Sequence, residues 1–267
     1  MPRCYGCECV IRVKEIFIMS PKTASAALVG NKIEYEIPRK LLFLPYMIIP
    51  VIAVIVFIDQ IFLGRFIQSY SLTATQTLII LALFLNIPHI AASTITFFDA
   101  EYLRRYGLRI FIPAFLLGFI LFLFPAVIYS NIYLMIYIVW NMLHQVGQGF
   151  GQCRLFGVGF EKTHSLWKWS AVLVAVAIYV GTTGIYKISS DMNHVIIVVM
   201  WALIVPFCVF SYLVYKPAAS LQARLFVLAN IATVILSAVL YSLHYPFFCI
   251  LLGRVVHDVS AFIFFMT

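Results

Sequence analysis

Six histidines carry the chemistry this chain can offer, and three of them sit where water does not reach easily. His89, His144 and His257 fall inside long apolar runs, while His194 and His244 fall at the ends of such runs and His164 falls between two. Each of the first three belongs to a polar stripe at helical spacing. Asn86, His89, Ser93 and Thr96 form one stripe. Asn141, His144 or Gln145, Gln148 and Gln152 form a second. Arg254, His257 and Asp258 form a third, with Arg254 and Asp258 four residues apart. Steps of three and four place residues on one face of a helix. A polar face among apolar residues must look into a bundle interior or a cavity. Neutral imidazole is a common ligand for iron, copper and zinc, and a nearby acceptor fixes its tautomer. Three such ligands leave open positions on a metal for oxygen or substrate. The same residues also suit a proton or cation relay, or a network that only locks helices together.

The elements that must position these residues are set by composition. Hydrophobic residues make up 64% of the 267 positions and charged residues 10%, against about 45–50% and about 25% in soluble domains. Mean hydropathy is +1.03. An ordinary soluble domain, a disordered chain and a disulfide-rich secreted module are all excluded. The expected fold is all-α, a polytopic membrane bundle of about eight transmembrane helices. A span needs about 20 apolar residues. The apolar runs place spans at 41–62, 73–98, 108–129, 132–152, 167–186, 194–215, 223–245 and 247–266. Residues 1–40 form an N-terminal segment and 41–267 the transmembrane domain. No cleavable leader is visible, since the first long apolar run starts at Leu41. Met19, followed by Ser20 and Pro21, offers an alternative start. The chain stops at Thr267 straight after the eighth run, as a fragment or a docked last helix would.

Charge supports this division. Net charge is +8 and the pI about 9.2. With eight spans, fifteen of the 18 basic residues fall on one side, including seven between Arg3 and Lys40. Only Arg65 and Lys187 fall opposite, and Arg254 lies within the last span. The positive-inside rule then makes the N-terminus cytoplasmic. Topology accounts for the basic charge, so nucleic acid is not expected as a partner. The expected partners are the bilayer and a hydrophobic small molecule. In this orientation His89, His144 and His257 lie roughly 15–23 Å below the outer face, on three parallel helices.

Other polar features read more plainly. His244 reaches the three-histidine level only if its helix is kinked and displaced before Pro246. Asp99 and Glu101, ahead of Arg104 and Arg105, read as an interfacial charge cluster or a cytoplasmic proton entry. Asp59 and Asp191 read as solvated, and Tyr129, Tyr133, Trp167, Trp169, Tyr186 and Tyr215 as interface belts. Cys4, Cys7 and Cys9 have C-x-x-C-x-C spacing without a second pair to complete four ligands.

The H-x-x-x-H and H-x-x-H-H clusters of membrane desaturases are missing, as are a P-loop, a G-x-S-x-G and an H-E-x-x-H. The pieces Pro88–His89, with Asp99 further on, and His257–Asp258 resemble the Brp/Blh family of membrane carotene dioxygenases. The resemblance covers only these short pieces. It implies a compact helical bundle in which single histidines on separate helices bind iron. The family's Pro-His-Gly with a close Asp reads Pro88-His89-Ile90 here, with Asp99 ten positions after His89. Its paired histidines are missing, and His144 is followed by Gln145 and Gln148. The expectation is an iron-dependent oxidoreductase or oxygenase acting on a lipid or isoprenoid. His89, His144 and His257 would be the ligands. Asp258, Asn86 and Gln148 would support them, and Arg254 would balance charge or meet an oxyanion. A small transporter or proton pathway and a non-enzymatic membrane subunit remain as alternatives.

Overall fold

In the computed structural model, the described residues are 10–12, 36–70, 82–94, 131–158, 161–182 and 189–266, with isolated positions between 72 and 123. The long elements are all helical. Two short strands, β1 (Val10–Arg12) and β2 (Glu36–Pro38), pair antiparallel with Ile11 opposite Ile37. The chain then enters 3-10 turns over Arg39–Met47 and continues as α1, Ile48–Ile61. A short α2 (Phe66–Ser69) follows. A π-helical turn, Ala82–Asn86, leads into α3, Ile87–Thr94. The long helices α4 (Asn131–Gln152), α5 (Glu161–Thr182), α6 (Ser190–Tyr215), α7 (Leu221–Ser242) and α8 (Pro246–Met266) complete the chain.

Local chemistry explains several boundaries. Ser189 and Ser220 cap α6 and α7, their hydroxyls accepting from Met192 N at 3.2 Å and Ala223 N at 3.0 Å. Pro246 opens α8, where its missing N–H costs nothing. After α7, His244 adopts φ 61°, so the chain reverses within a few residues. The expected span 223–245 therefore ends at Ser242.

Five helical stretches of the described residues are long and apolar enough to cross a membrane: Leu41–Ile61, Lys162–Thr182, Ser190–Tyr215, Leu221–Ser242 and Pro246–Ile263. They correspond to expected spans one, five, six, seven and eight. The fourth is helical over almost its expected range, but it is not among the five. Asn141, His144, Gln145, Gln148 and Gln152 lower its apolar character. Much of spans two and three, and residues 13–35, lie outside the described residues, as do the cysteine cluster, Asp99 and Glu101.

The core is a bundle interior with an apolar outside. α5 packs on α6 and α4, and α7 packs on α8 and α6. Phe207, Phe226 and Trp167 are fully buried in one cluster. Met200, Leu240 and Leu252 fill a second, and Met142, Val172 and Ile250 a third. Large apolar side chains such as Phe57, Val205 and Leu213 face outward. Outward apolar surface on this scale is what lipid, rather than water, accommodates.

Three expectations are corrected here. Trp167 is not at an interface: it is fully buried and its indole donates to Ser211 Oγ at 2.9 Å. His164 is not in a loop: it lies buried in α5 and pairs with the Phe150 carbonyl at 2.9 Å. Asp59 is not solvated. It is fully buried and accepts from Tyr245 Oη at 2.6 Å, Ile67 N at 2.8 Å and Gln68 N at 3.2 Å. Gly64 and Arg65, both at positive φ, make the turn that folds α2 back over this carboxylate. A left-handed step is cheap for Gly64 and uncommon for Arg65.

A candidate metal centre

Helices α3, α4 and α8 bring His89, His144 and His257 together. α8 packs against both α3 and α4, and so supplies the central wall. The ring centroids of His89 and His144 each lie 5.0 Å from that of His257, and 6.4 Å from each other. One potential ligand atom from each ring lies within 4.8 Å of the others. Bonds of about 2.1 Å hold two nitrogens no more than about 4.2 Å apart, so small ring rotations close the set on one ion. Exposure falls across the site: His144 is exposed, His89 half-buried and His257 buried. The cluster thus has an open side and a closed side. His257 Nδ1 is buried with no hydrogen-bond partner among the described residues. An orphaned imidazole nitrogen is costly unless it serves as a ligand or meets one. The donor set therefore fits a first-row transition metal.

Asp258 ties the histidines to a counter-charge. It is fully buried, with Oδ1 3.5 Å from His89 Nδ1 and 3.7 Å from His257 Nε2. Its Oδ2 lies 3.2 Å from Arg254, one helical turn back on α8. Arg254 also donates to Asn141 Oδ1 on α4 at 3.5 Å. The i, i+4 pair read from the sequence is formed, and it reaches two histidines and a second helix. A carboxylate between an arginine and two imidazoles can orient the rings, fix their tautomers and hold the local charge near neutral.

Other expected site residues divide. Gln148 is half-buried one turn along from His144, and among the described residues it makes no hydrogen bond to the histidines. Asn86 lies on the π-turn one step before α3, and its side chain is outside the described set. His244 sits in the α7–α8 turn and is not in the cluster; His194 lies in the first turns of α6.

A cavity of about 80 Å³ lies on the closed side of the cluster, between α4, α5, α7 and α8. His257 and Gln145 line it, with Tyr179 of α5 and a mainly apolar wall. Tyr179 carried no sequence signal, because a lone tyrosine in an apolar run looks like any interface residue. No protein-family profile, curated protein or solved structure matches the chain.

Proposed function

We propose that the chain is an integral membrane, metal-dependent oxidoreductase or oxygenase, with iron at the three histidines and a hydrophobic lipid or isoprenoid as substrate. One observation carries the reading: three imidazoles from three separate helices converge, with one potential ligand atom from each within 4.8 Å of the others. Three neutral nitrogens and free positions suit redox chemistry on dioxygen or an apolar substrate, which the metal would supply when bound. His89, His144 and His257 would hold it. Asp258 would orient His89 and His257, and Arg254 would balance its charge or meet a developing oxyanion. Gln148, one turn from His144, would act only if a bound substrate reached it. The exposed edge at His144 supports entry from the lipid side. Eight spans, with α4 as the fourth and the N-terminus cytoplasmic, complete the proposal; the one-sided basic charge supports it.

The test is the metal content of detergent-purified protein, wild type and three variants, by elemental mass spectrometry. Iron or another transition metal near one per chain, lost in His89→Ala, His144→Ala and His257→Ala while the helical signal persists, is the expected outcome. A wild type without metal after anaerobic loading would end the reading. A second reading is a proton or cation pathway, favoured by the chain of contacts from His89 through Asp258 to His257. It requires metal-free protein whose transport responds to pH across the histidine range. Variants that lose assembly but no chemistry would mark a structural network instead.

A further inference from the structure

The cavity behind His257 is too small for a substrate chain and well matched to a gas. Its volume of about 80 Å³ is roughly half that of an engineered apolar cavity of about 150 Å³ that takes up benzene or xenon. A diatomic molecule fits such a space, and a lipid tail or an isoprenoid does not. Val146, Val174, Ile178, Val234 and Val256 make its wall mainly apolar, and no Lys, Arg, Asp or Glu of the described residues lines it.

The polar residues at the wall are engaged within the bundle. Asn230 donates to Phe226 O and accepts from Tyr46 Oη. Thr233 donates to Ala229 O, and Ser237 to Cys249 O. Gln145 and Tyr179 face each other as partners. Two nitrogens remain without a partner among the described residues, His257 Nδ1 and Gln145 Nε2. A buried water typically makes about three hydrogen bonds, and cavities that cannot offer them stay dry. Once His257 Nδ1 serves as a metal ligand, water has less still to hold it. Gly253, one turn before His257 on α8, lines the space, and a Cβ built there meets nothing within 4 Å.

We propose that this cavity is a dry pocket for a small apolar gas, dioxygen, held against His257 from inside the bundle. Dioxygen is uncharged and apolar, so it gains by leaving water and asks no hydrogen bond of the wall. The two reactants then reach the centre from different sides. The long substrate comes to the exposed edge at His144, and the gas waits behind buried His257. The pocket rests on size and lining alone. That its occupant is dioxygen rests on the proposed function, which it deepens.

The experiment uses crystals of the full chain, treated with chelator and pressurised with xenon, whose anomalous scattering marks where the gas sits. A xenon peak bounded by Val174, Ile178, Val234 and His257 is expected. Gly253→Ala should keep the peak, and Gly253→Leu should remove it by filling the space. In metal-loaded protein, Gly253→Leu with wild-type metal content should raise the dioxygen concentration for half-maximal oxidation at least about threefold. An unchanged value would overturn dioxygen as the occupant. Ordered water in the cavity that xenon does not displace would overturn the pocket. So would xenon confined to outward faces, around residues such as Val205 and Leu213, or a peak that persists in a folded Gly253→Leu. The wild-type map decides even if that variant does not fold. Because the crystals hold no metal, the two readings fail separately. A chain that takes xenon in the cavity but never binds metal ends the metal reading and keeps the pocket. A chain that binds metal but takes no xenon there ends the pocket alone.

Discussion

At the scale of the residue, Asp258 is the group on which the site's electrostatics turn. It faces Arg254 and two imidazoles with no water access. Removing one partner of a buried pair leaves an uncompensated charge, at a cost of about 3–5 kcal/mol. Asp258→Ala is therefore expected to lower the unfolding temperature sharply. The double variant Asp258→Leu with Arg254→Met should recover much of the loss, as a thermal melt in detergent would show. Asp258→Asn keeps the shape and removes the charge. Its expected effect is about 10–100-fold weaker metal binding, read by chelator competition, because it alters only the support behind the ligands. The histidines were legible in the sequence because an ionisable residue in an apolar run has few reasons to be there. Asp59 was misread for the opposite cause. It stands near the end of its apolar run, where a solvated carboxylate is ordinary, and nothing local announces a tyrosine 186 positions away. Its burial depends on one long-range partner, Tyr245, and on a turn that brings the Ile67 and Gln68 amides back to it, and no periodicity encodes either.

At the scale of the element, turns do as much positioning as helices. The Gly64–Arg65 turn folds Ile67 and Gln68 back onto Asp59, and Tyr245 joins that knot from the α7–α8 turn. Asp59→Ala should release both amides, and hydrogen exchange at Ile67 and Gln68 should accelerate while the long helices stay protected. Ser220→Ala should cost about 1 kcal/mol through the lost cap of α7, measured by thermal unfolding. Gly181 on α5 lies hard against the Tyr241 ring of α7. Gly181→Ala is therefore expected to destabilise the α5–α7 contact despite the better helix propensity of alanine. The positions of the long described helices were legible to within several residues from apolar runs, since length and hydropathy are properties of single segments. Their ends were less so. α5 starts six residues ahead of the expected 167 because Glu161–Leu166 continues the helix through a buried histidine. Trp167 was misplaced for the same reason: an aromatic near a span end reads as a belt until the helix is known to extend past it.

At the scale of the whole molecule, five helices of the described residues have the length and apolar character to cross a bilayer, and a sixth carries the polar stripe. The proposed orientation places the α6–α7 turn in the cytoplasm and the start of α6 outside. In a cysteine-free background, Asp191→Cys should react with a membrane-impermeant thiol reagent applied to intact cells, and Lys216→Cys should not. The reverse pattern would invert the topology. That the three histidines meet was not deducible from the sequence, which shows the face each lies on but not the azimuth of each helix, which packing sets. The stripe on α4 has a consequence for how the protein is made. A segment bearing Asn141, His144, Gln145, Gln148 and Gln152 partitions poorly into lipid when it leaves the translocon alone. Its integration must lean on its packing partners, and α5 and α8, helices against which it packs, emerge after it. If α4 is the fourth span, as proposed, the segment that carries His144 is expected to wait at the insertion machinery until α8 has been made. The biogenesis of this chain and the assembly of its site are then one event, and a variant that repels α8 from α4 would be lost to quality control before its chemistry could be asked about.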